Sequence, residues 1–463
     1  MALESQTQTE AAADAPAPLR AHKSKIITPF IPLPAFPEPL RPAGQIFVWG
    51  TGNFGQFGMG PNLLDEFATP RRNTWVEDKI AEGVFGTESG AGVVAVAAGG
   101  MHSMFVDENG KIWSCGVNDD AALGRITKDV PDPDNPGNFL NIDILTSIPH
   151  PLQSLVDDKF RAAKIAAGDS ISAAISTEGE LRVWGSFRAN EGSLGFASGN
   201  RLQFLPEVLL PGQHCVALAA GNNHLVVLTT QGTLYSWGAG EQGQLGRKII
   251  ERRKIHGTVP ERVVLGSRTR RAVAVGAGNM HSFAVDEAGD VWGWGLNSAG
   301  QTGTGTNPAD TDGIVQTPRR VQGLSAQELG DGARVVQIAG GDLHTLFLTS
   351  DGRVYACGRG DACQLGVPDA PDSVDAPVLV PFPDAHTDDP VVAVSAGTRF
   401  NAAVTRAGAL YAWGEGAQGE LGVKGEERVE EPTVVVRREG GSWAAVGVSC
   451  GGQHSLGLFR KRT

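Results

Sequence analysis

Leu234-Tyr235-Ser236-Trp237-Gly238-Ala239-Gly240-Glu241-Gln242-Gly243-Gln244-Leu245-Gly246 decides the fold, because the chain writes this pattern seven times. Each copy is an apolar strand ending in Trp-Gly or Cys-Gly, then a Gly-rich turn that closes on another Gly. The copies centre on Trp49-Gly50, Cys115-Gly116, Trp184-Gly185, Trp237-Gly238, Trp294-Gly295, Cys357-Gly358 and Trp413-Gly414. In six of them the closing Gly stands eight residues after the first, as in Gly414 to Gly422; the third takes ten, Gly185 to Gly195. Self-similarity at a steady period outranks every other sequence signal, since each unit must stack on its neighbours to bury its apolar face.

A second pattern precedes most of these at a constant offset. It reads Ala-Gly-x-x-His, an apolar run, then a tight turn. His102, His224, His281 and His344 stand at the same distance before Gly116, Gly238, Gly295 and Gly358, and Ile171 and Phe400 fill the slot in the third and seventh copies. His454 has no Trp-Gly after it; the missing partner is Ile46 to Gly50 at the other end of the chain. A ring closed by the N-terminal strand explains both orphans and needs no terminal caps. Leu225 to Thr229, Gln231-Gly232 and Leu234 to Trp237 read as strand, turn, strand. Repeats spaced by 53 to 69 residues hold four short strands each. The expectation is an all-β, seven-bladed β-propeller of four-stranded blades over residues 45–459, a radial solution to exposed sheet edges.

Composition fits one ring. The 62 glycines supply the turns, and no long capped helix pattern or membrane-spanning run is visible. The five cysteines form no CxxC pair and are expected to be reduced and mostly buried, in an intracellular protein. Residues 1–44, rich in Ala, Pro, Gln and Thr, read as a flexible tail, and residues 460–463 as a short basic one. A net charge of −12 argues against a general nucleic-acid binder. Basic runs remain, at Arg20 to Lys25 and from Arg247 to Arg271, where nine Lys/Arg face two Glu. They are either solvated loops or contacts to phosphate or an acidic protein surface.

The repeats resemble the regulator of chromosome condensation family of seven-bladed propellers from about Ile46 to Phe459. Three stretches are similar to its founding branch, the chromatin-bound guanine nucleotide exchange factors for the GTPase Ran: Gly116 to Arg125, Trp184-Gly185-Ser186-Phe187-Arg188, and Gly240 to Arg247. The second opens the long third turn, where those exchangers carry a protruding β-wedge. Here the wedge would be Phe187 to Leu194. The resemblance implies a partner-docking face with Asp169 and Asn223 as the residues that promote exchange. It implies Phe187, Arg188, Asn190, Glu191, His102, Arg247, Asp342, His454 and Asn53 as contacts to the GTPase. For His224, His281 and His344 the expected role is internal, with the ring nitrogens satisfying backbone groups of each turn. Repeat spacing puts the histidines on different blades, so no shared metal site is expected.

The chain also departs from that family. Asn223 stands where an acidic residue is usual, Leu343 where a functional His is usual, and Asn53 where an Asp is usual. An uncharged acceptor makes a hydrogen bond about half as strong as a charged one. Two function classes follow. One is exchange on a Ran-type small GTPase at chromatin, in the nucleus, with Arg252, Arg253, Lys254 and the N-terminal tail meeting histones or DNA phosphate. The other is a propeller scaffold or adaptor without exchange activity. Neither needs a cofactor, a membrane or covalent chemistry. The GxxxxGK[ST] phosphate loop is absent from the sequence. A monomer is expected.

Overall fold

The second strand of each repeat is the most apolar, and in the computed structural model it is buried along its length, as in His102–Asp107, Ile171–Ser176 and His281–Asp286. The structure describes residues 28–305, 311–383 and 389–463. A strand buried on both faces needs sheets packed on either side of it. That is the arrangement here: seven four-stranded antiparallel sheets stand around an axis, neighbouring blades meeting through their first strands. Blade 2 runs Val93–Ala98, His102–Asp107, Ile112–Gly116 and His150–Pro151 from axis to rim, and blades 3 to 7 repeat the order.

Both sequence motifs lie at the same end of the blades. His102 is paired with Gly116 and His224 with Gly238, so each Ala-Gly-x-x-His loop sits beside a Trp-Gly turn. Hairpin turns such as Asp107 to Lys111 lie on the opposite face. The glycines are required by contact. A Cβ on Gly238, whose φ is +128°, would lie 2.4 Å from the Asn223 carbonyl oxygen. One on Gly341 would lie 2.1 Å from the His344 ring and 2.5 Å from the Gly397 oxygen of the next blade.

Blade 1 closes the ring. Gln45–Thr51 pairs antiparallel with His454–Lys461, placing Gln45 opposite Phe459 and Gly50 opposite His454. The N-terminus contributes two strands, not one: Glu66–Arg72 adds to the rim side of Gln45–Thr51. Its sequence, with Pro70 and only Phe67 buried, suits an edge strand, where proline leaves no inner ladder bond unmade.

One tier of hydrogen bonds ties every blade to the next, and a second ties five of the seven junctions. Around the channel, backbone N–H groups donate across blades: Gly452 to Gly99, Gly100 to Gly168, Asp169 to Asn222, Asn222 to Asn279, Asn279 to Gly341 and Asp342 to Thr398, at 2.9–3.2 Å. The Thr398 hydroxyl completes the circuit on the Gly452 carbonyl at 3.0 Å. Deeper, each histidine meets the residue that follows the histidine slot of the next blade. His102 Nε2 bonds Ser172, His224 bonds Ser282, His281 bonds Thr345, His344 bonds Asn401 and His454 bonds Ser103, all at 2.7–2.9 Å. The expected role in satisfying the backbone of the histidine's own turn is thus corrected to a bond between blades. Ile171 and Phe400 leave two junctions without it.

Two expectations about the ends change. Residues 28–44 are not a free tail but a strap across the face opposite the two motifs. Phe30 lies under Arg271 and Phe36 under Arg161, with guanidinium-to-ring distances of 3.8 and 3.9 Å, and Arg41 pairs with Glu88 and Glu108. At the other end Arg460 and Lys461 belong to the last strand, and Arg462 donates to carbonyls of Ala407, Arg437 and Trp443. The basic residues Arg20, His22, Lys23 and Lys25 lie outside the described residues.

Candidate functional site

The Trp-Gly turn has a regular design that one blade breaks. In the regular turn, the residue before the closing Leu-Gly pair offers its carbonyl to the indole of the next blade. Trp49 donates to Glu420, Trp184 to Ala122, Trp294 to Gln244 and Trp413 to Gln364, at 2.7–3.2 Å. The turn of blade 3 is ten residues long and presents no such carbonyl, so the Trp237 indole N–H is buried without a partner. The extra residues form a two-stranded hairpin, Arg188–Ala189 against Gly192–Ser193, with Asn190 and Glu191 exposed at its tip.

Neighbouring blades hold this hairpin on both sides. The Asn223 side-chain oxygen accepts the backbone N–H of Arg188 at 2.9 Å. Glu241 accepts the N–H of Asn190 at 2.8 Å. Lys254 lies 2.7 Å from Glu191 and 3.6 Å from Glu241. On the other side, the Arg188 guanidinium pairs with Asp120 at 3.2 Å, and Asp120 also accepts the Ser170 hydroxyl. Asp169, next to Ser170, has its carboxyl pKa raised by burial and by Asp120, with Arg188 pulling it back. Asp169, Asn222, Asn279, Asp342 and Thr398 line a polar depression of about 320 Å³ at the channel mouth.

The structure therefore brings Asp169, Arg188, Asn190, Glu191 and Asn223 together on one face. Asn53 is exposed in the first-blade turn on the same face, and Asp342 is half-buried at the channel mouth with Asn279 on its carboxylate at 3.2 Å. Three assigned contacts are internal instead. Phe187 is fully buried with Leu225 and Trp237, so it anchors the hairpin rather than meeting a partner. His102 and His454 are spent on bonds between blades and have no accessible side chain. Arg247 is half-buried: it holds residues 247–260 folded by donating to Gly257 and Val259, with Glu261 at 3.6 Å. Arg252 and Arg253 are exposed, whereas Lys254 faces the hairpin. Asp120 and Glu241 were given no role by the sequence reading, although they stand in the Cys115-Gly116 and Trp237-Gly238 turns that share the hairpin's face.

A sequence model for the RCC1-like domain matches residues 45–457. The chain belongs to the RCC1-like domain family. Among relatives, the protein pim1 of Schizosaccharomyces pombe is 35% identical over 427 residues, covering 89% of this chain and 74% of that protein. The guanine nucleotide exchange factor SRM1 of Saccharomyces cerevisiae is 31% identical, covering 89% of this chain and 86% of its own length. The crystal structure of Prp20p from S. cerevisiae, described together with its binding to Gsp1p and histones, superposes with a TM-score of 0.77. It is 29% identical and is covered over 97% of its length by 96% of this chain. Family membership thus rests on nearly the whole ring, not on a single motif.

Proposed function

We propose that this protein is a guanine nucleotide exchange factor that promotes GDP/GTP exchange on a Ran-type small GTPase at chromatin. The observation that carries the reading is the hairpin Arg188–Ser193, raised from the third turn and braced by blades 2 and 4. It stands in a ring whose full-length relatives include a named exchange factor and a protein described as binding Gsp1p and histones. An exchanger lowers nucleotide affinity only by binding the nucleotide-free GTPase more tightly than the loaded one. A rigid hairpin on a rigid ring suits that task, because the face keeps its shape while the GTPase must yield. Arg188, Asn190 and Glu191 enter the phosphate and Mg²⁺ site. Asp169, a carboxylate beside Arg188, offers a partner to a basic group freed from phosphate. Asn223 supports the hairpin backbone. Exchange followed by abundant GTP leaves the loaded GTPase, with no covalent step.

Chromatin supplies the setting and the nucleus the compartment. Arg252 and Arg253 project from the same blade-4 segment that carries Lys254, and they offer cations to an acidic histone surface or DNA phosphate. The deciding experiment is release of a fluorescent GDP analogue from a purified Ran-type GTPase. Catalytic amounts of the protein should accelerate release by orders of magnitude. Release at the spontaneous rate would reject exchange and leave a scaffold.

A further inference from the structure

We infer that Glu241 and Lys254 are positioning residues for exchange: together they clamp the tip of the hairpin in the orientation that enters the GTPase. The inference rests on the proposed exchange reaction and deepens it, because neither residue was tied to that step by sequence. A two-residue tip closing such short strands is marginal alone in water. Here each flank of the tip is held from outside. Glu241 receives the Asn190 N–H on one carboxylate oxygen, and its other oxygen lies 3.6 Å from Lys254. Lys254 in turn reaches Glu191 at 2.7 Å.

The clamp has its own foundation. Residues 247–260 fold back over Gly238 and Gly240, with Arg247 bridging to Gly257 and Val259 and with Thr258 buried. Lys254 is therefore presented to the hairpin by a segment braced without the hairpin's help. The side chains of Glu241 and Lys254 are 11% and 22% exposed, against 78% for Glu191. Their pairing is screened by salt less than a surface pair would be. The pattern is one amine between two carboxylates, one carboxylate on the ring and one on the hairpin tip. Removing the amine leaves like charges facing each other across that gap and pushes the tip away from blade 4.

The test reverses the charge of that amine. Lys254→Glu should slow the maximal stimulated release of nucleotide from the GTPase by about tenfold or more, since a displacement of about 1 Å at a reacting site can cost up to about 100-fold. The GTPase concentration for half-maximal rate should move much less. Lys254→Arg, which keeps a cation between the two carboxylates, should retain most of the rate. A second readout needs no GTPase: backbone hydrogen exchange in residues 188–194 should quicken in Glu241→Ala and in Lys254→Glu, with the melting temperature little changed. A Lys254→Arg variant as slow as Lys254→Glu, or unaltered hydrogen exchange in both Glu241→Ala and Lys254→Glu, would overturn the clamp. If the unmodified protein stimulates no release, the exchange reading fails by itself, and hydrogen exchange still decides whether the clamp exists.

Discussion

The side-chain oxygen of Asn223 accepts the backbone N–H of Arg188 at 2.9 Å, across the junction between blades 3 and 4. Where the family resemblance led to the expectation of an acid, the neutral amide keeps the acceptor and uses it to seat the hairpin. Asn223→Asp keeps that bond and adds charge, so stimulated release should stay at or above the unmodified rate. Asn223→Ala deletes the acceptor. A neutral hydrogen bond is worth about 1 kcal/mol, so release should fall about fivefold. Stopped-flow nucleotide release from the two variants, compared side by side, checks the order; equal rates for Ala and Asp would contradict it.

Phe187 behaves oppositely to what its place in the wedge motif suggests. Its ring is fully buried with Leu225 and Trp237, at the junction where Ile171 replaces the inter-blade histidine. Truncating a buried phenylalanine costs about 3–5 kcal/mol through lost transfer energy and the cavity left behind. Phe187→Ala should therefore lower the denaturant midpoint substantially, whereas Arg188→Ala, on an exposed side chain, should not. A normal midpoint for Phe187→Ala would place the ring outside the core.

Why some of this was legible in the sequence and some was not comes down to range. Trp-Gly and Ala-Gly-x-x-His recur at constant offsets because each repeat solves the same local packing problem, so blade number and ring closure could be read directly. Burial of His102 and His454 could not, because the offset places a residue on a strand without saying what the neighbouring blade offers it. The pairing of Glu191 with Lys254 joins the lengthened turn of one blade to a segment peculiar to the next, so no repeated offset points to it. The strap was missed for a different reason. Proline-rich segments lack ladder donors and look unstructured, yet the rings of Phe30 and Phe36, the Phe30 and Ile31 N–H groups on the Thr230 carbonyl and the Arg41 ion pairs hold this one.

Ring closure gives a graded truncation series. Removing residues 1–27 should leave stability unchanged. Removing 1–44 also strips the strap, with its two cation–π contacts and the Arg41 ion pairs, and should lower the melting temperature by several degrees. Removing 1–72 takes two of the four strands from blade 1 and should abolish cooperative melting. Calorimetry on the three truncations checks the order. Cooperative melting of the 1–72 truncation would mean that the ring does not depend on closure.

The histidine tier makes the ring acid-labile. Burial drives His102 and His344 down to about 4, and His224, His281 and His454 to about 3, from an ordinary value of 6.5. Folded pKa values below the unfolded ones mean that the unfolded chain takes up protons first. Stability is complete above pH 6.5 and is lost as pH falls toward 4, by roughly 2 kcal/mol per histidine at pH 5. Asp107 works the other way: burial lifts its carboxyl to about 6, which favours the folded state as pH falls from 6 toward 4, and burial also raises Asp169 and Glu420, so these carboxyls offset part of what the five histidines lose. Denaturant titrations between pH 7 and 5 should show stability falling steeply with acid. His344→Gln should remove about one proton from that slope.

Arg252 and Arg253 offer the last test, because their neighbour belongs to a different job. Both are exposed on the blade-4 segment, while Lys254 turns to the hairpin. With a net charge of −12 on the whole chain, attraction to chromatin must come from local cations, and such contacts release counterions. Arg252→Ser with Arg253→Ser should weaken nucleosome binding. If both arginines meet DNA phosphate, the slope of log affinity against log salt should drop by about 2. If they meet an acidic histone surface, affinity should fall while the slope for naked DNA stays as it was. In either case stimulated nucleotide release from the GTPase without nucleosomes should be unaffected, since neither arginine braces the hairpin. Nucleosome affinity measured by fluorescence polarisation at several salt concentrations, beside the release assay, separates these outcomes. Unchanged binding in the double variant would remove this segment from the chromatin contact.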